Sequence, residues 1–104
     1  MKLLWLGLLV LVSCKNTIHE KNHLANERSA YLRESAQDKI WWYPWSEKPI
    51  EFARNQDRLV FLSIGYATCF ACEKMQKNVY SHDDVAQLLN KKFVSIKVDR
   101  EERP

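Results

Sequence analysis

Two cysteines separated by two residues carry the clearest chemistry in this 104-residue sequence. Cys69 and Cys72 can form a short-loop disulfide, or they can react one after the other in thiol–disulfide exchange. The thiolate is the reactive form, so a redox cysteine needs a pKa below its ordinary value of about 8.5. The N-terminus of a helix lowers that pKa through its dipole and its free N–H groups. We therefore expect a helix that begins at Cys69, which attacks, and we expect Cys72 to resolve.

Two other interpretations of this cysteine pair stay open. The pair could be a structural disulfide that stabilises a small exported domain. It could also be half of a zinc site, although structural zinc has four protein ligands and the available histidines lack convincing spacing. Those histidines are His19, His23 and His82. We expect them to face solvent, and we predict neither a metal nor a cofactor.

A third cysteine, Cys14, lies two positions after the end of the apolar run of residues 3–12. The run is preceded by Lys2 and is too short to cross a bilayer core, which needs about 20 residues in a helix. A charged start, a short apolar core and a small residue at its end, here Ser13, are typical of an export signal.

The end of the run, Leu11-Val12-Ser13-Cys14, resembles the lipobox of bacterial lipoproteins. That resemblance implies a signal over residues 1–14, lipidation of Cys14 and a periplasmic place in the cell envelope, held on a membrane by lipid. In that family, a residue other than Asp after the cysteine, here Lys15, slightly favours the outer membrane. An ordinary secretory signal with an incidental cysteine is the alternative.

The formal net charge is +3, and both signs of charge are spread along the chain. Because no basic run marks a nucleic-acid surface, we expect no nucleic-acid partner. Once Cys14 carries lipid, Cys69 and Cys72 remain as a pair, and an exported chain can keep its disulfides. The expected partners are the thiols or disulfides of exported proteins.

The elements around the cysteines follow from hydrophobic spacing. Residues 15–26 are polar and are predicted to be a tether, which leaves residues 27–104 as the domain. Ser46 is predicted to cap a helix that ends near residue 56. Residues 59–64 are almost wholly apolar and predict a buried central strand. The spacing of Cys72, Met75, Gln76 and Val79 predicts a helix with Cys72 on its inward face.

A second helix and a second strand complete the pattern. Ser81 and Asp84 predict an acidic capping box that opens the helix, and residues 93–98 predict the strand. The order helix, strand, CxxC, helix, helix, strand favours an α/β fold with two parallel strands. A two-stranded sheet is marginal alone. We therefore expect a fragment, or a domain whose sheet a partner completes.

The aromatic cluster of residues 41–45 allows two interpretations. The rings could simply cover one edge of the sheet. Alternatively, they could form an apolar lip beside the thiols that receives substrate peptides, made of Trp42, Trp45, Tyr66 and Phe70. Pro44 argues against a continuous regular strand through the cluster.

Four blocks in one order resemble the thioredoxin-like domain of the spermatogenesis-associated protein 20 type, also called domain of unknown function 255. The blocks are Trp42-Tyr43-Pro44-Trp45, Phe61-Leu62-Ser63-Ile64-Gly65-Tyr66, the Cys69/Cys72 pair and Val98-Asp99-Arg100-Glu101-Glu102-Arg103-Pro104. The likeness spans about residues 22–104. It implies a thioredoxin-like fold and suggests redox activity.

Several positions depart from the pattern that this resemblance implies. Family members usually carry His and Trp between the cysteines and His after them, where this chain has Phe70, Ala71 and Glu73. An acidic Glu73 stabilises a thiolate less than a basic residue would. Thioredoxins often have a buried acid where this chain has Ser63. Proton transfer from the resolving thiol must therefore use water or another group.

The length also departs from the family. None of Pro44, Pro49 and Pro104 falls where the thioredoxin cis-proline is expected, so the predicted thioredoxin-like fold is truncated after its second core strand. The sequence thus predicts a membrane-anchored thiol–disulfide oxidoreductase. A redox-inactive binding module and a truncated domain without independent activity are the alternatives.

Overall fold

The computed structural model describes residues 20–103, so the predicted export signal and Cys14 lie outside the described residues. Its strands form one parallel sheet in the order β1-β3-β2. In chain order the elements are α1 (Ala30–Arg33), β1 (Trp42–Pro44), α2 (Glu47–Asn55), β2 (Leu59–Gly65), α3 (Phe70–Met75), α4 (Asp83–Lys92) and β3 (Phe93–Asp99). A π-helical turn, Gln76–Tyr80, continues α3. The predicted α/β class is confirmed.

The sheet has one strand more than the sequence predicted. Residues 42–44, inside the aromatic cluster, form the short edge strand β1 and pair with residues 95–97 of β3. Pro44 is the last residue of this strand. A proline that lacks its N–H is tolerated there because an edge strand leaves one side without hydrogen bonds.

The predicted central position of β2 is wrong, because β3 lies between β1 and β2. The interior residues of β3 are all buried, whereas most of β2 is exposed or half-buried. Leu59 of β2 is 71% exposed and Ile64 is 56% exposed. An apolar run is typical of a strand covered on both faces. Here the covering elements pack mainly over β1 and β3.

Each face of the sheet carries its own core cluster. On one face α2 supplies Ala53, and the half-buried Ile50 and Phe52 pack beside it. The strands add Tyr43, Val94, Ile96 and Val98. The other face carries the site described below. Its cluster contains Leu24, Leu32, Ile40, Trp42, Tyr80, Ala86 and Leu89, with Phe61 packed against it.

The predicted tether ends too late in the chain. Leu24 is fully buried in the core, and the Leu24 N–H donates to Asn22 Oδ1 over 3.0 Å. The Asn22 side-chain amide donates to the carbonyl groups of Ser35, Asp38 and Ile40 over 3.0, 3.2 and 3.1 Å. Because residues 22–24 are tied to the fold in this way, the domain begins before residue 27. A single buried leucine has no period that a sequence could reveal.

The second helix also begins differently from the prediction. Ser81 Oγ donates to the Lys77 carbonyl over 2.7 Å, so Ser81 is the C-cap of the π-helical turn and does not cap α4. His82 is the N-cap of α4, and Asp84 Oδ1 accepts from the Val85 N–H. The predicted capping box is therefore wrong. By contrast, α2 begins directly after Ser46, as predicted.

Within residues 20–103, no helix is both long enough and apolar enough to span a bilayer.

Candidate active site

Cys69 and Cys72 form a disulfide at the beginning of α3. β2 ends at Gly65, a short turn follows, and the Cys69 N–H donates to the Tyr66 carbonyl over 3.1 Å. Cys69 is the N-cap residue, and its sulfur accepts from the Cys72 N–H over 3.1 Å. The helix therefore begins where the sequence predicts it. The pair lies beyond the carboxyl end of a parallel strand, the edge of α/β sheets at which ligands bind.

A cavity of about 80 Å³ lies against the disulfide. Its lining combines parts of α1, β3, α3 and the turn before α3. The lining residues are Tyr31, Glu34, Ser35, Tyr66, Ala67, Cys69, Cys72, Glu73, Gln76 and Lys97. Both cysteines are half-buried, so the cavity joins the disulfide to the interior and to the surface.

Gly65 brings the Tyr31 hydroxyl and the Cys72 sulfur close together. A Cβ atom on Gly65 would lie 2.6 Å from Cys72 Sγ and would overlap Tyr31 Oη. The two groups therefore face each other across the space that a side chain would fill. Glycine is needed here for the space that this close approach requires. It is not needed for its backbone conformation, since its φ angle lies outside the left-handed region.

Asp99 holds α1 over the disulfide. Ser29 Oγ donates to Asp99 Oδ2 over 2.6 Å and accepts from the Leu32 N–H over 3.1 Å, so Ser29 both caps α1 and ties it to the end of β3. This link places Tyr31, on α1, above Gly65. Burial, with smaller contributions from Tyr80, Asp99 and Glu34, raises the pKa of Tyr31 to about 12. The Tyr31 hydroxyl therefore keeps its proton and can donate to sulfur.

Lys97 is a buried cation in the wall of this cavity. Its side chain is on β3, 3% of the residue is exposed, and it lines the cavity with both cysteines. The Lys97 ammonium nitrogen lies 4.6, 4.9 and 5.3 Å from the ring centroids of Trp42, Tyr80 and Tyr31. Such contacts stabilise the charged form. Burial is the stronger effect and lowers the pKa of Lys97 to about 8.

Asp38 supplies the negative charge that acts on Lys97. Its Oδ2 accepts from Trp42 Nε1 over 2.9 Å, and its Oδ1 accepts from Gln76 Nε2 over 2.6 Å. Burial raises the pKa of Asp38, although these two hydrogen bonds and Lys97 lower it. The Asp38 carboxyl raises the pKa of Lys97 and so partly offsets the effect of burial.

The structure divides the residues predicted to form a substrate lip. Trp42 is fully buried beneath Lys97, so it cannot belong to a surface lip. Its ring belongs to the core, because β1 pairs with the central strand. Trp45 is 42% exposed, but it lines a different pocket, which Glu102 also lines.

Tyr66 and Phe70 are the two lip residues that lie next to the cysteines. Tyr66 lines the disulfide cavity, and the Arg100 guanidinium stacks over its ring at 4.3 Å. The Arg100 N–H donates to the Gly65 carbonyl over 2.7 Å, which fixes Arg100 beside the cysteine turn. Phe70 directly follows Cys69 and is 72% exposed. This arrangement leaves an apolar ring at the surface beside the disulfide.

Ser63 lies where many thioredoxins have a buried acid, and it has a neutral partner. The Tyr80 hydroxyl donates to Ser63 Oγ over 3.4 Å. Among residues 20–103, Lys97, not an acid, is the buried charged residue that lines the cavity with the cysteines. Glu73 and Glu34 line the cavity, and both are exposed.

Sequence reasoning missed Tyr31, Asp38 and Lys97. For Lys97 a signal was present, since a lysine inside the apolar run of residues 93–98 must either pass to the surface or be buried. Side chains alternate along a strand, so residues 95 and 97 share one face with Phe93. Tyr31 and Asp38 lie outside any regular pattern, and nothing in the sequence pointed to them.

The predicted histidines contribute no metal site among residues 20–103, where no three His, Cys, Asp or Glu side chains are grouped to hold a metal ion. His82 is exposed at the start of α4, and the ring of His23 stacks on Tyr43 at 4.8 Å. His19 lies outside the described residues.

Comparison with known proteins matches this chain to a family. A family model described as "Protein of unknown function, DUF255", whose name marks it as thioredoxin-like, matches residues 21–104. The chain belongs to this DUF255 family. The recognition made from the four sequence blocks is thereby confirmed, as is the thioredoxin-like fold class.

Relatives of this DUF255 domain occur in animals. An uncharacterized protein of Caenorhabditis elegans is 45% identical over 84 residues, which are 81% of this chain and 12% of that protein. Spermatogenesis-associated protein 20 of Rattus norvegicus and of Homo sapiens are both 42% identical over 83 residues, 80% of this chain. The matched region is 10% and 11% of those two proteins. The chain thus spans about a tenth of the length of these curated relatives.

Proposed function

We propose that this DUF255 domain catalyses thiol–disulfide exchange through Cys69 and Cys72. The observation that carries the proposal is the placement of the disulfide. The disulfide lies at the start of a helix and lines a cavity together with the buried Lys97. A purely structural disulfide has no need of a cavity or of a buried lysine that lines the same cavity. The Cys69 sulfur accepts one backbone N–H, an interaction that favours its thiolate.

The exchange follows from the order of the two cysteines. In the reduced form, the Cys69 thiolate attacks one sulfur of a substrate disulfide. An S–S bond forms to Cys69, the substrate S–S bond breaks, and the other substrate sulfur leaves as a thiolate. Cys72 then attacks Cys69, which restores the Cys69–Cys72 disulfide and releases the second substrate thiolate. Two electrons pass to the substrate, and a dithiol reductant must return them.

A redox titration tests this proposal. The full chain carrying Cys14→Ser is equilibrated across glutathione ratios, trapped with an alkylating reagent and weighed. We expect a single two-electron midpoint, and Cys72→Ser as the matched control should abolish it. Midpoints in thioredoxin-like proteins range from about −270 to −120 mV, so the value separates a reductant from an oxidant. A pair that stays oxidised at every ratio would identify a structural disulfide instead.

Turnover supplies a second test. The reduced Cys14→Ser chain should speed the reduction of a protein disulfide by a small dithiol, and Cys69→Ser should abolish this effect. Retained turnover in Cys69→Ser would contradict the proposal.

The lipobox resemblance supports a proposal about location, with exported proteins as substrates. The chain is lipidated at Cys14 and held at the periplasmic side of the cell envelope, with the outer membrane favoured. Expression in a bacterium fed an alkyne-tagged fatty acid should label the chain, and Cys14→Ser should remove the label. Labelled chain should move with outer-membrane fractions, and Lys15→Asp should shift it to the inner membrane. Label that persists in Cys14→Ser would contradict lipidation at this residue.

A binding module without turnover is the second candidate, and the open edge of the sheet favours it. Within residues 20–103, β2 pairs only with β3, and its Leu59, Leu62 and Ile64 are 71%, 43% and 56% exposed. An exposed strand edge accepts an extended segment of another protein as a further strand.

Edge and cysteine variants distinguish the two candidates. Capture of a partner that survives Cys69→Ala/Cys72→Ala and is lost in Ile64→Lys would support the binding module. Capture that is lost in Cys69→Ala/Cys72→Ala and is unchanged in Ile64→Lys would support thiol–disulfide exchange. A third alternative is a truncated domain without activity of its own. A cooperative unfolding transition of the chain would argue against it.

A further inference from the structure

We propose that Lys97 is the internal base that takes the proton of Cys72 when Cys72 resolves the mixed disulfide. This inference rests on the proposed exchange activity and assigns a residue to its second step. Resolution needs a thiolate at a half-buried position, where solvent has restricted access. The acid that would serve in many thioredoxins is replaced by Ser63.

The cavity connects the two groups. Cys72 and Lys97 line the same space of about 80 Å³, which is large enough for water, since one probe sphere occupies only about 10–15 Å³. The Tyr31 hydroxyl faces the Cys72 sulfur across Gly65, and the Lys97 nitrogen lies 5.3 Å from the centroid of the Tyr31 ring. A proton leaving Cys72 therefore has a short polar route to the amine, along the Tyr31 hydroxyl and cavity water.

The other polar groups in the cavity wall or in contact with its lining residues are less suited to accept the proton. Burial holds the pKa of Tyr31 at about 12, so Tyr31 passes a proton along rather than losing one. Both oxygens of Asp38 already accept hydrogen bonds, from Trp42 and Gln76. The remaining groups are Glu34 and Glu73 at the exposed rim, Asp99 bound to Ser29, and the neutral Tyr80 and Ser63.

The aromatic rings around Lys97 suit an amine that changes its charge. Burial favours the neutral amine, which can accept a proton, and the three ring faces stabilise the ammonium that forms. The Lys97 pKa of about 8 lies close to the ordinary thiol value of about 8.5. A proton transfer between groups of matched pKa costs little free energy.

The neutral Lys97 amine takes the proton of the Cys72 thiol and becomes an ammonium. The Cys72 thiolate attacks Cys69 Sγ, the Cys69–Cys72 bond forms, and the bond from Cys69 to the substrate breaks. The substrate sulfur leaves with the electron pair of that bond, and the Lys97 proton passes through the cavity to that thiolate or to water.

Stopped-flow mixing with 5,5′-dithiobis(2-nitrobenzoic acid) separates this step from the first one. Attack by Cys69 releases one coloured thiolate at a rate that depends on reagent concentration. Resolution by Cys72 releases a second at a rate that does not. In the reduced full chain carrying Cys14→Ser, Lys97→Met should slow the second phase about 100-fold at pH 7. The first phase should change far less.

The pH profile and a charge-keeping variant identify the role of the amine. The unmodified Lys97 chain should speed up with pH and level off above about 8, whereas Lys97→Met should remain slow until the thiol itself ionises. Lys97→Arg keeps the positive charge but cannot give up its proton, so it should be as slow as Lys97→Met. A fast Lys97→Arg variant, or an unchanged second phase in Lys97→Met, would overturn the proposal.

Two controls keep the outcomes distinct. Each variant must unfold cooperatively. If Lys97→Met does not, Lys97→Gln replaces it with the same expected result. If the chain with Lys97 intact releases no second coloured thiolate, the proposed exchange activity fails, whereas a normal second phase that ignores Lys97 overturns only the inference about the base.

Discussion

β2 and β3 are neighbouring seven-residue strands with opposite surroundings. Both are largely apolar and run parallel in register, from Leu59 opposite Phe93 to Gly65 opposite Asp99. The interior of β3 is buried throughout and includes a lysine, whereas Leu62 in the middle of β2 is 43% exposed. The environment of these strands is therefore set by their position in the sheet and only weakly by their composition.

This contrast also predicts which strand contributes to both stability and the proposed chemistry. β3 supplies the core and Lys97, while β2 ends at Gly65 and delivers the chain to Cys69. A change in β3 should therefore affect both folding and exchange. A change in the middle of β2 should affect neither strongly.

The largest expected effect comes from truncating the buried strand. Ile96→Ala, at a fully buried position, should lower the free energy of unfolding by about 3–4 kcal/mol. Leu62→Ala on β2 is the matched change at a 43% exposed position and should cost less than about 1.5 kcal/mol. Urea unfolding of the two variants measures the difference. Equal losses would show that β2 is covered in solution.

The next effect concerns the buried lysine and depends on pH. Folding lowers the pKa of Lys97 from 10.5 to about 8, so the unfolded chain holds more protons between these values. Stability supplied by Lys97 therefore rises with pH through this window. Relative to Lys97→Met, the chain with Lys97 should gain about 2 kcal/mol between pH 7 and 9.5.

Urea unfolding at several pH values below 10 measures this gain. The ordinary tyrosine pKa of about 10 sets the upper limit, since Tyr31 begins to contribute above it. A difference between the two chains that stays constant with pH would mean that Lys97 titrates normally.

A smaller effect is expected where β2 meets the active site. Gly65→Ala places a methyl group against the Tyr31 hydroxyl and Cys72 Sγ, so it should cost about 1–2 kcal/mol. Ser63→Ala, two residues earlier on the same face, removes one 3.4 Å hydrogen bond and should cost less. Thermal unfolding compares them. If Gly65→Ala left the free energy of unfolding unchanged, Tyr31 could not lie as close to Cys72 as described.

The smallest effect should come from the exposed face of β2. Ile64→Thr, at a position that is 56% exposed, keeps a β-branched side chain and should change the free energy of unfolding by less than about 0.5 kcal/mol. It should also reduce self-association, measured by sedimentation velocity, because the exposed edge becomes less apolar. A loss above about 2 kcal/mol would show that Ile64 is buried against a further element.

The sequence predicted the elements well where the pattern is local. The apolar runs of β2 and β3 and the helix that begins at Cys69 follow from side-chain spacing alone. Strand order does not, because both runs look equally buried and only the packing of α2 and α4 decides which one is central. The buried Leu24 depends on contacts that are distant in sequence, so no local pattern revealed it.

Only part of the candidate active site was predicted from the sequence. The cysteine spacing and the turn before α3 gave Cys69 and Cys72, and the family resemblance showed that Ser63 replaces an acid. Lys97, which we propose as the base instead, was not predicted, because its burial depends on the surrounding rings of Tyr31, Trp42 and Tyr80. Those rings come from three separate segments of the chain.

The strand order has a consequence for synthesis of the chain. β3 is the middle strand, yet it follows β1 and β2 along the polypeptide. While the ribosome makes the protein, β1 and β2 cannot pair in the native way until residues 93–99 have emerged. On every nascent chain, the apolar segments of β1 and β2 are thus exposed until β3 is available to pair with them. Such exposure favours aggregation, so a chaperone that shields residues 59–65 at this stage should raise the yield of folded protein.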